Sequence, residues 1–443
     1  MTKVLIPSGA LGLGYDATAL ARGVALKPDL IAVDGGSTDS GPSYLGRGVS
    51  KYARASTKAE WAGLIHARAT AGCPLVIGTA GTCGTDSTVD WLVDITREIL
   101  SEAGLTAKIA TLKSEQDPAD IAQTDLTPLS GAPEIDANTI TDCTHIVALA
   151  GAEQIAAAIN TGSDIIIAGR TTDTAIIAAL PIMHGHDAGP AWHGAKIGEC
   201  GALCATNPQS GVIMVDFDGD GFIVTPLADG AHATPHTVSA HMLYENSDPF
   251  ILYEPGGHLD VTNATYTALD DTSVRVTGSK WVPSDTYTVK LEGARIAGHQ
   301  AMVMATIRDA HYVANVQAWC DDITVKHRAK VTDRLGNTDF TLDLRIIGQN
   351  ATLGPLENRT TDLTEVGVMG IVTAPTPEAA HDIARLLNPY LLHHPLTQEE
   401  EQPTFAFPFS PAEVPLGPLY SFALHHTMTL TDPMDAFRLE VLS

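Results

Sequence analysis

The chain of 443 residues is poor in positive charge, with 26 Lys and Arg against 52 Asp and Glu, so its formal net charge is −26. Such a chain repels phosphate backbones and anionic membrane surfaces, and no basic stripe compensates for this. It also lacks an apolar run of about 18 residues, the length that a membrane-spanning helix needs. We therefore expect no binding to nucleic acid and no membrane segment.

A signal-peptide pattern and a cysteine framework are missing as well. Residues 1–7 lead directly into a strand-like run, so we expect a cytoplasmic protein. Six scattered cysteines argue against a disulfide scaffold. Cys200 and Cys204 are separated by three residues, but no second ligand pair accompanies them, so zinc is not favoured. Whether Cys200 has a chemical or a structural role is left open.

Several common catalytic motifs are absent. The sequence contains no P-loop, no G-x-S-x-G and no H-E-x-x-H, which argues against a P-loop ATPase, an α/β-hydrolase and a zincin. Gly12 and Gly14 begin a dinucleotide-binding fingerprint, but Ala17 stands where the third glycine belongs. Residues 216–221 begin like a calcium loop, but Leu227 replaces the bidentate Glu that closes such a loop.

Short apolar runs alternate with helix-like segments over residues 1–190. Unbroken apolar runs are typical of strands buried on both faces, and the alternation predicts βαβ units with a mainly parallel sheet. The runs lie at 4–7, 30–33, 75–77, 107–112, 146–149 and 165–168, and the helical segments at 17–26, 58–71, 88–103 and 154–161.

The pattern changes near residue 210. Residues 211–217 and 222–226 flank Asp218-Gly219-Asp220-Gly221, which predicts a β-hairpin. Later segments predict strand, strand, helix and strand at 340–347, 365–372, 377–392 and 419–430, with a surface loop at 395–418. We expect an α/β domain at 1–210, a β-rich region completing the pocket at 211–335 and a small α+β domain at 336–443.

Polar residues recur just after the predicted parallel strands. Ligands bind there in parallel sheets, so we expect the loop residues Asp34 and Arg170 to lie in one cleft. Backbone N–H groups and a guanidinium can hold a carboxylate or phosphate. The alternative for each loop is an ordinary turn or helix cap. The loop residues singled out are Asp34, Ser37, Thr38, Asp39, Glu115, Arg170 and Asp173.

Two further segments carry candidate acid–base groups. Desolvation near Gly198 and Gly201 would raise the pKa of Glu199, although Lys196 acts in the opposite direction. The alternative is a solvated charge on a helix face. His241, Tyr244 and Glu245 have the spacing of one helical face, where they could carry acid–base chemistry or simply pack.

Five segments resemble, in order, the acyclic terpene utilisation (AtuA-like) family over residues 1 to about 350. The resemblance implies an α/β N-terminal domain, a small ferredoxin-like α+β domain in the same chain or as a separate partner subunit, and a metabolic setting of branched acyl-CoA thioesters. Thr171 and Thr172 depart from the small and aromatic residues more usual after the Arg, which leaves the substrate open. The segments are DLIAVDGGSTDSGP (29–42), IIIAGRTTD (165–173), KIGECGA (196–202), HMLYENSDP (241–249) and VKLEGA (289–294).

Together these observations predict a lyase, a hydro-lyase (hydratase or dehydratase) that acts on a small carboxylate or an acyl-CoA by acid–base catalysis. The alternatives are a C–C lyase or hydrolase of a branched hydroxyacyl-CoA, or a non-catalytic subunit that binds acyl-CoA. A homo-oligomer is expected, because the C-terminal apolar runs are too short to build a core alone.

Each candidate residue receives a role in this prediction. Asp34 and Asp39 could hold a divalent cation such as Mg²⁺, although the sequence requires no cofactor. The proton-transfer residues are Glu199, Asp173 and His241, and the substrate-binding residues are Ser37, Thr38, Arg170, Glu115 and Tyr244.

Overall fold

The computed structural model describes residues 1–129, 131–208, 211–359 and 362–442, with the side chain of Asp39 left out. Contacts divide the chain into two compact units. The first combines residues 1–295 with the chain from 422 onward, and the second is formed by Ile296–Ser421. Within the described ranges, no helix has both the length and the apolar character needed to cross a bilayer.

The strands set the framework of both units. In chain order they are β1 (Thr2–Ile6), β2 (Leu30–Asp34), β3 (Leu75–Gly78), β4 (Ile109–Lys113), β5 (Glu115–Gln116), β6 (Leu126–Pro128), β7 (Cys143–Ala148), β8 (Ile165–Ala168), β9 (Ile213–Phe217), β10 (Gly221–Pro226), β11 (Ile251–Glu254), β12 (Gly257–Asp260), β13 (Thr265–Ala268), β14 (Val274–Thr277), β15 (Lys280–Pro283), β16 (Tyr287–Ile307), β17 (Thr341–Ile347), β18 (Val366–Ala374), β19 (Glu413–Leu430) and β20 (Arg438–Leu442).

The helices follow the strands of the first unit and reappear in the second. They are α1 (Ala17–Ala25), α2 (Ser43–Arg47), α3 (Arg54–Ala71), α4 (Asp86–Ala103), α5 (Pro118–Ile121), α6 (Ala137–Thr141), α7 (Ala152–Asn160), α8 (Ala175–Met183), α9 (Ala188–Gly198), α10 (Pro235–Ala240), α11 (Ala310–Ala314), α12 (Val316–Leu335) and α13 (Pro377–His393).

The first unit is built on a large mixed sheet. Its described strands have the order β13-β14-β10-β9-β1-β2-β3-β8-β4-β20. The central strands β1, β2, β3, β8 and β4 are parallel, whereas the pairs towards both edges are antiparallel. The expected α/β class is confirmed, and the parallel part is the centre of a mixed sheet.

Both faces of the parallel centre are covered. Along β1, Val4 and Ile6 belong to one core cluster and Leu5 to the other, because side chains alternate across a strand. Trp61 of α3 and Leu92 of α4 pack in the cluster that contains Leu5. Helices α7, α8 and α9 pack on the opposite face. This double burial is why the central strands read as unbroken apolar runs.

One predicted strand lies in a different sheet. Residues 146–149 were expected in the parallel sheet, but β7 pairs antiparallel with β5 and with the first part of β16. An apolar run indicates burial on both faces and carries no information about which sheet the strand joins. The hairpin expected around Asp218 is confirmed, with Phe217 of β9 opposite Phe222 of β10.

The observed units differ from the boundaries expected at 210 and 335. Strand β9 pairs along its length with β1, so the chain after 211 continues the first sheet. The second unit begins at Ile296, inside β16. Its chain order is strand, helix, strand, strand, helix, strand, formed by β16, α12, β17, β18, α13 and β19. The strand order β17-β18-β16-β19 is that of a split βαβ arrangement.

Two details of the second unit were not expected. Helix α12 was not predicted, although its buried residues, such as Val316, Trp319 and Ile323, recur at the three- and four-residue spacing of one helical face. Strand β19 begins at Glu413, inside the segment 395–418 that was expected to be a loop. The prolines of this segment favour a loop locally, but strand pairing holds its end in an extended conformation.

Candidate functional site

The loops that follow the parallel strands meet at one edge of the sheet. The backbone N–H of Arg170, after β8, donates to Ser114 Oγ, after β4, at 2.7 Å. The Arg170 Nη1 donates to Thr79 Oγ1, after β3, at 3.1 Å. Asp34, at the end of β2, is near enough for the guanidinium charge to act on its pKa. The strand ends therefore converge as a parallel sheet requires.

Two glycines allow these loops to approach each other closely. A Cβ atom on Gly35 would lie 2.3 Å from the carbonyl oxygen of Thr79. A Cβ atom on Gly84 would lie 2.3 Å from the backbone nitrogen of Arg170, and Gly84 has a φ of +67°. Only glycine fits this distance and this left-handed conformation without strain.

Backbone strain is concentrated in the turn after β3. Thr79 has a φ of 49° and Thr82 a φ of 80°, and β-branched residues rarely adopt positive φ. Each such residue costs about 1–3 kcal/mol and persists only where surrounding bonds hold it. The N–H of Thr79 donates to the carbonyl of Gly169 at 2.7 Å, which anchors the turn to the loop after β8. Strain of this kind clusters at functional sites.

A buried ion pair between Arg170 and Glu292 lies at the centre of the site. Arg170 Nε donates to Glu292 Oε2 at 3.0 Å, and the two side chains are 7% and 5% exposed. Glu292, on β16, also accepts bonds from Thr38 Oγ1 at 3.0 Å and Lys290 Nζ at 2.8 Å. Burial alone would raise the pKa of Glu292, but the two cations lower it to about 2. Glu292 is therefore ionised and compensates the charge of Arg170.

Two aspartates lie beside this ion pair. Asp173 Oδ1 is 3.8 Å from Arg170 Nη1. Asp34 Oδ2 accepts the N–H of Gly36 at 3.0 Å, while Asp34 Oδ1 is buried without a hydrogen-bond partner among the described residues. Burial raises the pKa of Asp34 well above its usual value, and the charge of Asp173 raises it further. Asp34 is therefore harder to ionise than an exposed aspartate.

A second buried pair joins Lys196 and Glu199 at the end of α9. Lys196 Nζ donates to Glu199 Oε1 at 2.5 Å, and the two side chains are 3% and 6% exposed. Lys196 Nζ also donates to the carbonyl of Tyr244 at 2.7 Å. Burial raises the pKa of Glu199 to about 8, with Asp173 adding to the effect and Lys196 opposing it. Glu199 is thus buried and titrates near neutral pH.

The segment around His241 differs from its expected conformation. Helix α10 ends at Ala240, His241 begins a single 3-10 turn, Tyr244 is extended and Glu245 has a φ of +51°. The expected helical face with His241, Tyr244 and Glu245 is therefore wrong. The turn-forming sequence just downstream, at 246–249, favours an end to the helix here.

His241 and Tyr244 still come together without that helix. Their rings stack with centroids 5.2 Å apart. His241 is 5% exposed, and its Nε2 is buried with no hydrogen-bond partner in the described chain. Burial lowers the pKa of His241 to about 4, and Lys196 lowers it further. The imidazole is therefore neutral at physiological pH.

A cavity of about 620 Å³ opens beside this charged cluster. Asp34 and Asp173 lie in its wall. Lys51 supplies a cation, while Ser37, Tyr244 and Cys200 complete the polar part of the lining. Burial raises the pKa of the Cys200 thiol, and neighbouring carboxyl groups raise it further. Cys200 is consequently a neutral thiol, and the reactive polar groups of the wall are the carboxyls.

The expected site residues thus fall into three groups. Ser37, Asp173 and Tyr244 line the cavity. The side chains of Thr38, Arg170, Glu199 and His241 are buried next to it. Glu115 is engaged elsewhere, since Oε1 pairs with His145 Nδ1 at 2.5 Å and Oε2 accepts the N–H of Asp86 at 2.8 Å.

Asp34 and Asp39 were suggested as ligands of a divalent cation. The side chain of Asp39 lies outside the described part of the structure. In the part that is described, no group of three or more His, Cys, Asp or Glu is arranged to hold a metal ion.

Sequence reasoning assigned no role to Glu292 or Glu254. The signal for Glu292 was its spacing from Lys290, which places both on one face of a strand. Glu254 Oε1 accepts a bond from Thr174 Oγ1, and burial raises the pKa of Glu254 to about 7. Its sequence position carried no signal for these contacts, because its partners Thr172 and Thr174 come from the loop after β8.

Comparisons with known proteins give a match at the level of a protein family. A family model described as acyclic terpene utilisation family protein AtuA matches residues 64–408. The match begins after the 29–42 segment and reaches beyond the limit of about 350 inferred from motifs. Neither the curated proteins nor the solved structures compared with the chain gave a match. Because the family model covers more than half of the sequence, the chain belongs to the acyclic terpene utilisation family.

Proposed function

We propose that the protein is a lyase, and specifically a hydro-lyase that adds or removes water beside a carboxylate or an acyl thioester. The observation that carries the proposal is Asp34, a buried acid with a raised pKa whose Oδ1 has no partner among the described residues, in the same cavity wall as Asp173. Hydration and dehydration need one group that donates a proton and one that accepts a proton. Two carboxyl groups in different electrostatic settings provide such a pair.

The roles follow from the charges around each group. In dehydration, Asp173 beside the Arg170 guanidinium takes the proton from the carbon next to the activating carbonyl. Asp34 gives its proton to the departing hydroxyl, which leaves as water while the carbon–carbon double bond forms. Hydration is the reverse of these steps. Glu199, which interacts electrostatically with Asp173, exchanges the proton between turnovers.

The protonation state of the buried acids also affects how the cavity binds an anionic substrate. Arg170 donates hydrogen bonds to Glu292 and Thr79, so in this proposal its role is to balance the charge of the buried carboxylates. Protons on Asp34 and Glu199 reduce the negative charge next to the cavity. Lys51, which lines the cavity, then supplies the contact for a carboxylate or for the phosphates of an acyl-CoA. The burial of Arg170, Glu199 and His241 supports an enzyme over a shallow binding subunit.

The test is a screen for water addition and loss. The protein is incubated with unsaturated and hydroxylated di- and tricarboxylates and with acyl-CoA thioesters, in isotopically labelled water. Mass spectrometry should find a product that differs from one substrate by one water and carries the label after hydration. A product shortened by a carbon fragment would replace the proposal with a C–C lyase, and a free acid and CoA would replace it with a thioester hydrolase.

Matched variants test whether turnover takes place at this site. Asp34→Asn and Asp173→Asn keep the shape of each side chain and remove its titration, and each should lower turnover about 10²–10⁴-fold. Asp94→Asn, an exposed position on α4, is the control and should keep wild-type turnover. Full activity in the Asp34 and Asp173 variants would exclude this mechanism.

We infer that the active form is a cytoplasmic homo-oligomer that acts without a separate small subunit. All six cysteines are free thiols, which suits a reducing compartment. The chain carries its own split βαβ unit, so a ferredoxin-like partner subunit is not needed. Light scattering at micromolar concentration should give a multiple of the monomer mass of 46.6 kDa, and a strict monomer would refute the oligomer.

A further inference from the structure

A second cavity, of about 640 Å³, lies within the first unit on another side of the loop after β8. The adjacent residues Thr172 and Asp173 separate the two spaces, since Thr172 lines the second cavity and Asp173 lines the first. The volume falls within the range of about 300–1,000 Å³ typical of small-molecule sites. Its apolar walls are formed by Leu129, Leu149, Pro255 and Pro283.

Glu254 and Asp285 are the carboxyl residues in the lining of this cavity, and one oxygen of Glu254 is buried without a partner among the described residues. Glu254 Oε1 accepts the hydroxyl of Thr174. Glu254 Oε2 is buried and has no hydrogen-bond partner in the described ranges, although Thr172 is close enough to lower the pKa of Glu254. A buried polar atom without a partner is costly, and a ligand that donates a hydrogen bond removes this cost.

One cation faces the same space. Lys290 lines the cavity, and its side chain is 30% exposed. Its Nζ donates to Glu292 Oε1 at 2.8 Å. An ammonium group has three N–H donors, and the bond to Glu292 uses one of them. The cavity therefore combines an anion-binding group, a hydrogen-bond acceptor and apolar walls.

We propose that the second cavity binds an aliphatic hydroxy-monocarboxylate. The ligand carboxylate accepts from Lys290, its hydroxyl donates to Glu254 Oε2, and its chain packs against the leucine and proline walls. A dicarboxylate fits less well, because the acceptor Glu254 would face its second negative charge. The site is separate from the first cavity, and the proposal stands whether or not the protein is a hydro-lyase.

The experiment measures equilibrium binding by calorimetry with three probes that differ in one group each. The probes are 3-hydroxyoctanoate, octanoate and 3-octanol. We expect 3-hydroxyoctanoate to bind tightest, with octanoate and 3-octanol each about tenfold weaker or more, because each lacks one polar contact. Equal affinity for all three probes would overturn the proposal, since the polar groups would then contribute nothing.

Variants locate the binding. Lys290→Met should weaken both carboxylates about tenfold and leave 3-octanol unchanged. Glu254→Leu should abolish the preference for 3-hydroxyoctanoate over octanoate. Lys51→Met, in the first cavity, should leave all three affinities unchanged. A loss in the Lys51 variant without a loss in the Lys290 variant would place the ligand in the first cavity and refute the second site. Because only binding is measured, failure of the hydro-lyase proposal does not affect this result.

Discussion

Arg170 and Glu292 are 122 residues apart in the chain, and they form a buried ion pair in which Arg170 Nε lies 3.0 Å from Glu292 Oε2. The pair connects the loop after β8 to β16, and Thr38 and Lys290 complete the shell of Glu292. Removing one partner leaves the other charge buried and uncompensated. The stability of the first unit should therefore depend on both residues.

The first prediction concerns this ion pair. Glu292→Gln should lower the free energy of unfolding by about 3–5 kcal/mol, because Arg170 stays charged and buried but loses its hydrogen-bonded counter-ion, with only Asp173 remaining at 3.8 Å. Urea unfolding of the first-unit transition measures the loss. The control is Asp229→Asn, which breaks the exposed pair with Arg22 and should cost far less, because solvent screens that pair. Equal losses in the two variants would contradict a special role for the buried pair.

The second prediction concerns the pH dependence of stability. The pKa of Glu199 is raised from 4.5 to about 8, so the folded protein holds this proton more tightly than the unfolded chain. The stability it contributes is present below about pH 4.5 and is lost as the pH rises towards 8. Glu199→Gln removes the titration, so its Tm should fall less than that of the wild type across this interval.

Thermal unfolding at several pH values measures this difference in slope. Glu102→Gln, at an exposed position of α4, is the matched control and should keep the wild-type slope. A Glu199 variant whose slope also equals that of the wild type would show that Glu199 does not titrate in the interval.

The third prediction compares two glycines with similar backbone angles. Gly84 has a φ of +67° and would place a Cβ atom 2.3 Å from the Arg170 nitrogen, whereas Gly104 has a φ of +62° with open space around it. Gly104→Ala should cost about 1 kcal/mol for its left-handed conformation. Gly84→Ala should cost about 1–3 kcal/mol more, because the added atom also has to displace backbone. Equal losses in chemical denaturation would show that the contact between the two loops is loose.

The fourth prediction concerns the reactivity of Cys200. The thiol lines the first cavity, but burial and then the carboxyl groups of Glu199 and Asp173 raise its pKa. The thiolate is the reactive form, so iodoacetamide at neutral pH should label Cys200 at least about tenfold more slowly than a free thiol. Peptide mass spectrometry measures the rate, with urea-unfolded protein as the control. Rapid labelling of the folded protein would instead indicate a thiolate and reopen a chemical role for Cys200.

The sequence predicted the parts of this molecule that depend on local pattern. The runs at 30–33 and 165–168 became parallel central strands because residues buried on both faces of a sheet leave an unbroken apolar signature. The meeting of Asp34 and Arg170 followed from strand direction alone. The face assigned to His241 was wrong, because helical spacing does not show where a helix ends.

The charge balance of the site could not be predicted in the same way. Glu292 compensates Arg170 only because β16 pairs with β7, a contact between segments more than 100 residues apart. The raised pKa of Asp34 depends on burial and on the charge of Asp173, and both come from tertiary packing. The residue types were visible in the sequence, whereas their electrostatic states required the fold.

The left-handed threonines after β3 have a consequence for engineering this protein. Thr82 occupies a backbone conformation that glycine adopts freely, so Thr82→Gly would release part of the strain in this turn. The same change would remove the hydroxyl that accepts the N–H of Lys51 and would loosen the position of the cavity's cation. Relief of strain in this turn is thus coupled to the position of Lys51, the cation that lines the first cavity.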